Sequence, residues 1–476
     1  MGKTISQKPN LLSAANTPLV YIFTDGDTDF AAVFKYRYVL KLEINGVEKS
    51  VLKIHRNGSD VGIFDISHLV RSYIETTDTN QNSTTNTIHS LGVVETAKPF
   101  SQNSNQCAKV TVKFFYEYAT AATLSPTLYD SSQTADSYVI PAATPFTKTE
   151  SNVGGLDING TNFPLTYFMN SDSAEDSYGF FTNAPTVQFV RGSSASADNL
   201  DLLTICFKQG DADDGILNQG DKLEYMFVEY YDSSGVIIGA AQPFENSNAN
   251  GGATAAEAET AVEVNKSILY FGCGTKNLET QTLNTSANPS DFADWAYYRI
   301  FGSTDNTTGN RCTKYYYFYR YGATQTGVDD RHQSCTRYDN IRLAWRNRLG
   351  AWDYMNFRGK STKSLAIQSS EMESVPGTWD STAYNYDNWE GGKKTLFKTA
   401  TRKIVVNSDW LNEDEAAWLE ELFTSTNIQI LDDDYTIVYP IVITDKAYTT
   451  KTSVNNKIKI QYTLNLEYSN KVRTNS

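Results

Sequence analysis

The sequence predicts a mainly β, multidomain protein made of β-sandwich-like domains with one or two short helices. Three observations predict it. Apolar residues recur at every second position in several segments, the period of a strand with one buried face. Turn-forming residues stand between those segments. Aromatic residues make up 13% of the 476 positions while proline supplies only 12, a balance that favours strands.

Residues 18–54 carry the clearest pattern. Tyr36, Tyr38, Leu40, Leu42 and Ile44 alternate with Lys35, Arg37, Lys41 and Glu43. Asn45-Gly46 follows, a pair suited to the positive φ angles of a two-residue hairpin turn, and residues 47–54 return as the partner strand. Next, Asp65 or Ser67 is placed to cap a short helix carrying Leu69, Val70, Tyr73 and Ile74. Residues 76–106 are rich in Thr, Asn, Gln and Ser and read as a long loop. Val110, Val112, Phe114 and Tyr116 alternate again and close an N-terminal β-sandwich domain over 1–118.

Residues 119–262 read as a second β-rich domain with long loops. Apolar bursts at 165–169 and 187–190 sit between polar stretches. Leu223, Tyr225 and Phe227 alternate before Asp232-Ser233-Ser234-Gly235, which predicts a hairpin returning through Val236, Ile237 and Ile238. Residues 244–258 read as a flexible excursion. A third β-domain spans 263–360, with strands at 267–271, 296–301 and 313–321. The last holds Tyr315-Tyr316-Tyr317-Phe318-Tyr319, aromatic on both faces, so it belongs inside a sheet or under a cover. Residues 361–476 form a C-terminal β domain with one helix, 412–424. Asn412 and Glu415 make a capping box, Leu411 is placed to staple Ala416, and Trp418, Leu419, Leu422 and Phe423 form an apolar stripe. Strands follow at 428–431, 436–443 and 457–468, the last alternating through Ile458, Ile460, Tyr462, Leu464 and Leu466.

Composition excludes several functions. A net charge of −14 repels phosphate backbones, so general nucleic-acid binding is not expected. Arg342, Arg346 and Arg348 read as a solvated strand face. No segment approaches the roughly 18 apolar residues that a membrane-spanning helix needs. The start, Met1-Gly2-Lys3-Thr4-Ile5-Ser6, lacks the apolar core of a secretory signal and reads as a tail, although it fits the loose myristoylation pattern. Cys107, Cys206, Cys273, Cys312 and Cys335 are widely spaced with no Cys-x-x-Cys pair, which suits buried thiols in a reducing compartment.

Chemistry-bearing patterns are sparse. The four histidines, His55, His68, His89 and His332, stand at no metal-ligand spacing, and no nucleophile elbow or phosphate loop occurs. No catalytic residue, cofactor or metal is therefore assigned. Glu371 and Glu373 are the nearest approach to a glycosidase pair and read as solvated charges. Asp211-Ala212-Asp213-Asp214-Gly215 begins like a calcium loop, but the twelfth position is Lys222, so calcium binding there stays open.

Two aromatic stretches are the candidate contact residues. Trp379, Tyr384, Tyr386 and Trp389 lie among short polar residues; such aromatics stack on sugars or anchor a protein partner, and a subunit contact is the favoured reading. Trp345, Trp352, Tyr354 and Phe357 belong to Leu343-Ala344-Trp345-Arg346-Asn347-Arg348-Leu349-Gly350-Ala351-Trp352-Asp353-Tyr354-Met355-Asn356-Phe357, followed by Gly359-Lys360-Ser361. They read as core or interface formers on a hairpin that joins two domains, with Asn347 and Gly350 in the turn and Asp353 and Asn356 placed to satisfy nearby backbone.

That motif resembles a family of uncharacterised structural proteins of tailed bacteriophages, especially phages of marine bacteria. Phe64-Asp65-Ile66-Ser67 and the stretch from Asn407-Ser408-Asp409-Trp410-Leu411 to the end resemble the same family. The resemblance implies a virion protein made in the host cytoplasm, a tail or baseplate component with ring-like contacts to its own copies and to other tail proteins. It implies no active-site residues. A receptor-binding or glycan-processing tail protein and a neck or head-surface protein are the alternatives.

Overall fold

The computed structural model describes residues 2–9, 12–74, 87–102, 106–143, 180–192, 200–208, 223–246, 268–292, 294–303, 305–311, 313–322, 337–374, 377–385, 392–432, 437–445, 447–448 and 460–475. Of these, about 53% are strand and 11% helix, so the fold is mainly β. The expected features at 165–169, 211–215, most of 244–258, and Ile458 lie outside the described residues, as do Cys312, Cys335 and His332. The chain forms two compact units. One is Met1–His332 with Arg346–Asp353; the other is Gln333–Trp345 with Tyr354–Ser476.

The first unit begins with a sandwich. A five-stranded sheet runs Leu12–Ala14, Thr127–Ile140, Ala108–Ala119, Phe34–Ile44, Val47–Ile54. A three-stranded sheet, Lys3–Gln7, Val20–Asp25 and Val61–Asp65, shares one apolar core with it. Phe23 stacks on Phe114 with ring centroids 4.9 Å apart and meets Tyr38 edge-on at 5.5 Å. The alternating residues Tyr36, Tyr38, Leu40, Leu42 and Ile44 are all buried there. Asn45 (φ 51°) and Gly46 (φ 78°) make the tight turn, setting Ile44 opposite Val47.

Thr127–Ile140 pairs with Ala108–Ala119 along its length, so this sheet continues well past residue 118. Asp65, not Ser67, anchors the short helix Ser67–Val70. Its Oδ1 accepts from the amides of Ser67 (2.9 Å) and Leu19 (3.1 Å).

A second pair of sheets completes this unit. Five strands run Val187–Val190, Tyr316–Arg320, Tyr297–Ser303, Tyr225–Tyr231, Ile237–Glu245. The aromatic strand Tyr316–Arg320 lies between two neighbours, as residues large on both faces require. Asp232 Oδ1 accepts from the amides of Ser234 and Val236, both at 2.8 Å, and Gly235 (φ 80°) completes the hairpin turn.

Three further strands, Thr204–Lys208, Ile268–Gly272 and Phe100–Gln102, form the companion sheet. Phe244 meets Phe271 at 5.2 Å, and the Tyr298 hydroxyl donates to the Cys273 carbonyl at 2.8 Å. Cys107, Cys206 and Cys273 are buried, and burial pushes the Cys206 thiol upward, away from the reactive thiolate.

Among the described residues the second unit holds one large sheet, a small two-stranded sheet and one long helix. The large sheet runs Trp352–Phe357, Ile341–Arg346, Ile428–Leu431, Val438–Ile443, Thr463–Tyr468, Gly392–Asn407, Thr362–Ser374, with Val472–Asn475 also paired to Gly392–Asn407. The helix is Glu413–Thr424. Asn412 Oδ1 accepts from the Glu415 amide (2.7 Å) and Glu415 Oε2 from the Asn412 amide (2.9 Å), the expected capping box. Trp418 meets Trp345 with centroids 4.9 Å apart, fixing the helix on the sheet.

Candidate assembly surface

The most unusual surface of the second unit is a long hairpin. Thr362–Ser374 pairs with Gly392–Asn407 from Thr362 opposite Val405 to Ser374 opposite Gly392. The base of the longer strand is core, with Ile404 and Val406 buried. Its outer half is not. On its far side, among the described residues, Thr463–Tyr468 pairs with Lys403–Asn407 and Val472–Asn475 with Phe397–Ala400. Among the described residues Thr362–Ser374 ends the sheet order, and it is exposed along nearly its whole length.

Large apolar side chains stand in solvent on this arm. Leu365 is 55% exposed, Ile367 59% and Leu396 46%, and Met372 and Val472 are also exposed. Leu365 and Ile367 are two residues apart and so share a face. At the far end Thr378–Trp379 and Tyr384–Asn385 form a small hairpin. Asp380 shapes it. Its Oδ1 accepts from the amides of Ala383 (2.8 Å) and Thr382 (2.9 Å), and its Oδ2 from Asn385 Nδ2 (2.8 Å). Those donors hold the Asp380 carboxyl below the usual carboxylate range. Trp379 and Tyr384 project from this tip, the tryptophan 68% exposed.

The strands of the arm also carry more basic than acidic side chains, while its tip carries Asp380. Lys363, Lys393, Lys394, Lys398, Arg402, Lys403 and Arg473 stand on its strands against Glu371 and Glu373. Lys393 lies 3.8 Å from Glu371 and Lys363 2.9 Å from Asp339, exposed pairs of small energetic weight. Glu371 and Glu373 are exposed on the edge strand, in keeping with solvated charges.

The two aromatic groups expected from the sequence have opposite placements. Trp379 and Tyr384 are on the surface; Tyr386 and Trp389 lie outside the described residues. Trp345, Trp352, Tyr354 and Phe357 are buried within the chain and act as core, not as a free contact surface. Arg342 and Arg346 are likewise buried, which corrects the reading of a solvated basic face. Each guanidinium lies over an aromatic ring, Arg342 over Tyr354 at 5.5 Å and Arg346 over Trp352 at 5.1 Å.

The turn between these strands is held by polar side chains. Asn347 Oδ1 accepts from the amides of Leu349 and Ala351, both at 3.0 Å. Its Nδ2 donates to the Phe181 carbonyl (2.8 Å) and to Asp353 Oδ1 (3.0 Å). Thr182 Oγ1 donates to the same carboxylate oxygen at 2.7 Å. Asp353 therefore receives two side-chain donors. Asn356 Oδ1 similarly accepts from the Asn340 side chain at 2.9 Å. Gly350 (φ 84°) sits where a Cβ would come 2.8 Å from Pro141, so both its conformation and its space require glycine.

Sequence reasoning missed Leu365, Ile367 and Leu396. A signal existed: residues 362–374 contain neither Gly nor Pro, and they intersperse apolar with Ser, Lys and Gln positions. Alternation shows that such a strand has two faces, but it cannot show that neither is covered.

The chain matches no protein-family profile and no curated protein. Solved structures that overlap a part of it include the following two. A chain of the virion of a native gene transfer agent particle is 11% identical, over 29% of this chain and 95% of that one, with a TM-score of 0.15. A chain of the tail of an empty gene transfer agent particle, of C6 symmetry, is 9% identical over the same shares, with a TM-score of 0.16. Neither overlap amounts to a shared fold.

Proposed function

We propose that the protein is a structural, non-catalytic component of a tailed-phage virion, of the tail or baseplate type, that works through contacts with other subunits. One observation carries the assembly reading: a hairpin with a 13-residue outer strand holds Leu365 and Ile367 more than half exposed. Soluble chains rarely leave a contiguous apolar stripe in water unless a partner covers it. The motif at 343–357 supports the phage assignment by resemblance. Exposed acids at Glu371 and Glu373 beside Lys393 offer charge pairing.

A cryo-electron microscopy map of purified virions tests this. The expected result is density for the chain in the tail or baseplate, with the arm against a neighbour. Absence from purified virions, together with a monomeric protein in infected cells, would overturn it. Incubation with host surface polysaccharide tests the catalytic alternative. Release of reducing ends that disappears in Glu371→Gln or Glu373→Gln would replace the structural role with an enzymatic one.

A further inference from the structure

On the assembly reading above, we infer that another virion protein covers the outer half of the arm with an amphipathic helix that carries acidic residues. Strand registers trace one face across the large sheet. Trp345 stands opposite Ile428, Ile428 opposite Ile441, and Ile441 opposite Tyr468. Two residues from Tyr468, Leu466 stands opposite Ile404, and Ile404 opposite Lys363. Side chains two apart on a strand share a face, so Trp345, Ile428, Ile441, Leu466 and Ile404 line the same face as Leu365 and Ile367. At its base that face is core, and those first five residues are buried. The helix Glu413–Thr424 lies on it: Trp418 meets Trp345, and Phe423 meets Tyr462 at 5.2 Å. Beyond the helix the face continues in the open. Ile367 stands opposite Ala400 and Ala400 opposite Val472, and both Ile367 and Val472 are more than half exposed.

The covered base shows what fits the remainder. A sheet face is buried when another layer packs on it, and at the base that layer is a helix. A strand added to the Thr362–Ser374 edge would pair its backbone but leave the row through Ile367, Ala400 and Val472 in water. A helix laid on the face removes that row from water. Charge selects the kind of helix. Lys398 and Arg402 flank Ala400 on this face, opposite Ser369 and Leu365. Among the described residues neither makes an ion pair, whereas Lys363 pairs with Asp339, and Lys403, on the other face, with Glu467. Residues 363–369 and 398–404 contain no acid. The resident helix is acidic, with Glu413, Asp414, Glu415, Glu420 and Glu421 and no basic residue. A second helix of that kind, apolar stripe inward, sets its carboxylates against Lys398 and Arg402.

The test carries Ile367→p-benzoylphenylalanine in the full chain, assembled into virions and irradiated, with the photo-cross-link mapped by mass spectrometry. The expected site is a segment of another virion protein with apolar residues three and four apart and Asp or Glu beside them. In parallel, the purified chain is titrated with a synthetic Leu/Glu amphipathic helix, its Leu/Lys counterpart and phosphatidylglycerol vesicles. The Leu/Glu helix should bind. Lys398→Glu/Arg402→Glu should weaken that binding about tenfold or more, with an unchanged circular dichroism spectrum. Ile367→Thr/Val472→Thr should weaken it too, while keeping strand propensity. No binding of the Leu/Glu helix, equal binding of the Leu/Lys helix, or preference for the vesicles would overturn the inference. A cross-link in virions to a segment of alternating apolar residues, the period of a strand, would remove the helix and leave the assembly reading standing. Absence of the chain from virions would remove both.

Discussion

Phe34–Ile44 and Thr362–Ser374 are strands of similar length with opposite fates. The first lies inside a five-stranded sheet, and a second sheet covers one of its faces, so Tyr38, Leu40 and Leu42 are wholly buried. The second ends its sheet, and Leu365 and Ile367 stay in water. Both have strand-forming sequences and both are paired along most of their length on at least one side. The difference is the layer opposite, and it separates side chains that stabilise the fold from side chains held back for a partner. A buried aliphatic or aromatic side chain contributes about 1.5–3 kcal/mol through burial, and an exposed one contributes almost none until it is covered.

Substitutions at the two strands should therefore behave differently. Phe114→Ala, on the strand paired with Phe34–Ile44 and stacked on Phe23, removes a fully buried ring. It should cost about 3–5 kcal/mol in urea unfolding. A loss under about 1 kcal/mol would mean that the sandwich core tolerates a void, and the contrast would break.

Asp25 sharpens the polar end of that core. Burial raises its proton affinity. The Thr28 hydroxyl (2.5 Å), the Tyr36 hydroxyl (2.7 Å), the Asp27 amide (3.0 Å) and Lys3 at 3.4 Å outweigh burial and hold the carboxyl below its ordinary 3.8. A depressed value means stability that is fully present above pH 3.8 and is lost as pH falls through the folded value. Asp25→Asn should cost about 1–3 kcal/mol at neutral pH and flatten the acid limb of the stability profile. An unchanged acid limb would show that other carboxylates set it.

Within the second unit, Asn412→Ala removes one half of the capping box. It should cost about 1 kcal/mol, read as a lower thermal midpoint. Leu365→Thr and Ile367→Thr, singly, should stay within about 0.5 kcal/mol of the parent, as surface changes do. A large loss at either position would mean that the arm is covered within the chain.

How much was legible beforehand differs in the same way. The Asn45-Gly46 turn, the Asp232–Gly235 turn and the Asn412–Glu415 box were readable because each is closed by residues within a few positions of one another. The alternation of Tyr36 through Ile44 correctly marked one buried face. The Trp345–Phe357 motif was readable as large and structural, but either core or interface would fit it. Arg342 and Arg346 were misread as solvated because the rings beneath them, Tyr354 and Trp352, become their neighbours only once the hairpin has formed.

Local chemistry in the sequence thus determined the strands, the tight turns, the capped helix and the predominance of β structure. The tertiary structure alone decided that Phe100–Gln102 pairs with Ile268–Gly272, that Thr127–Ile140 joins the first sheet, and that the Thr362–Ser374 arm has no cover among the described residues. Period and propensity act between residues a few positions apart. Burial depends on which distant segment arrives on the opposite face, and hydrogen bonds along a strand are the same whether that segment comes or not.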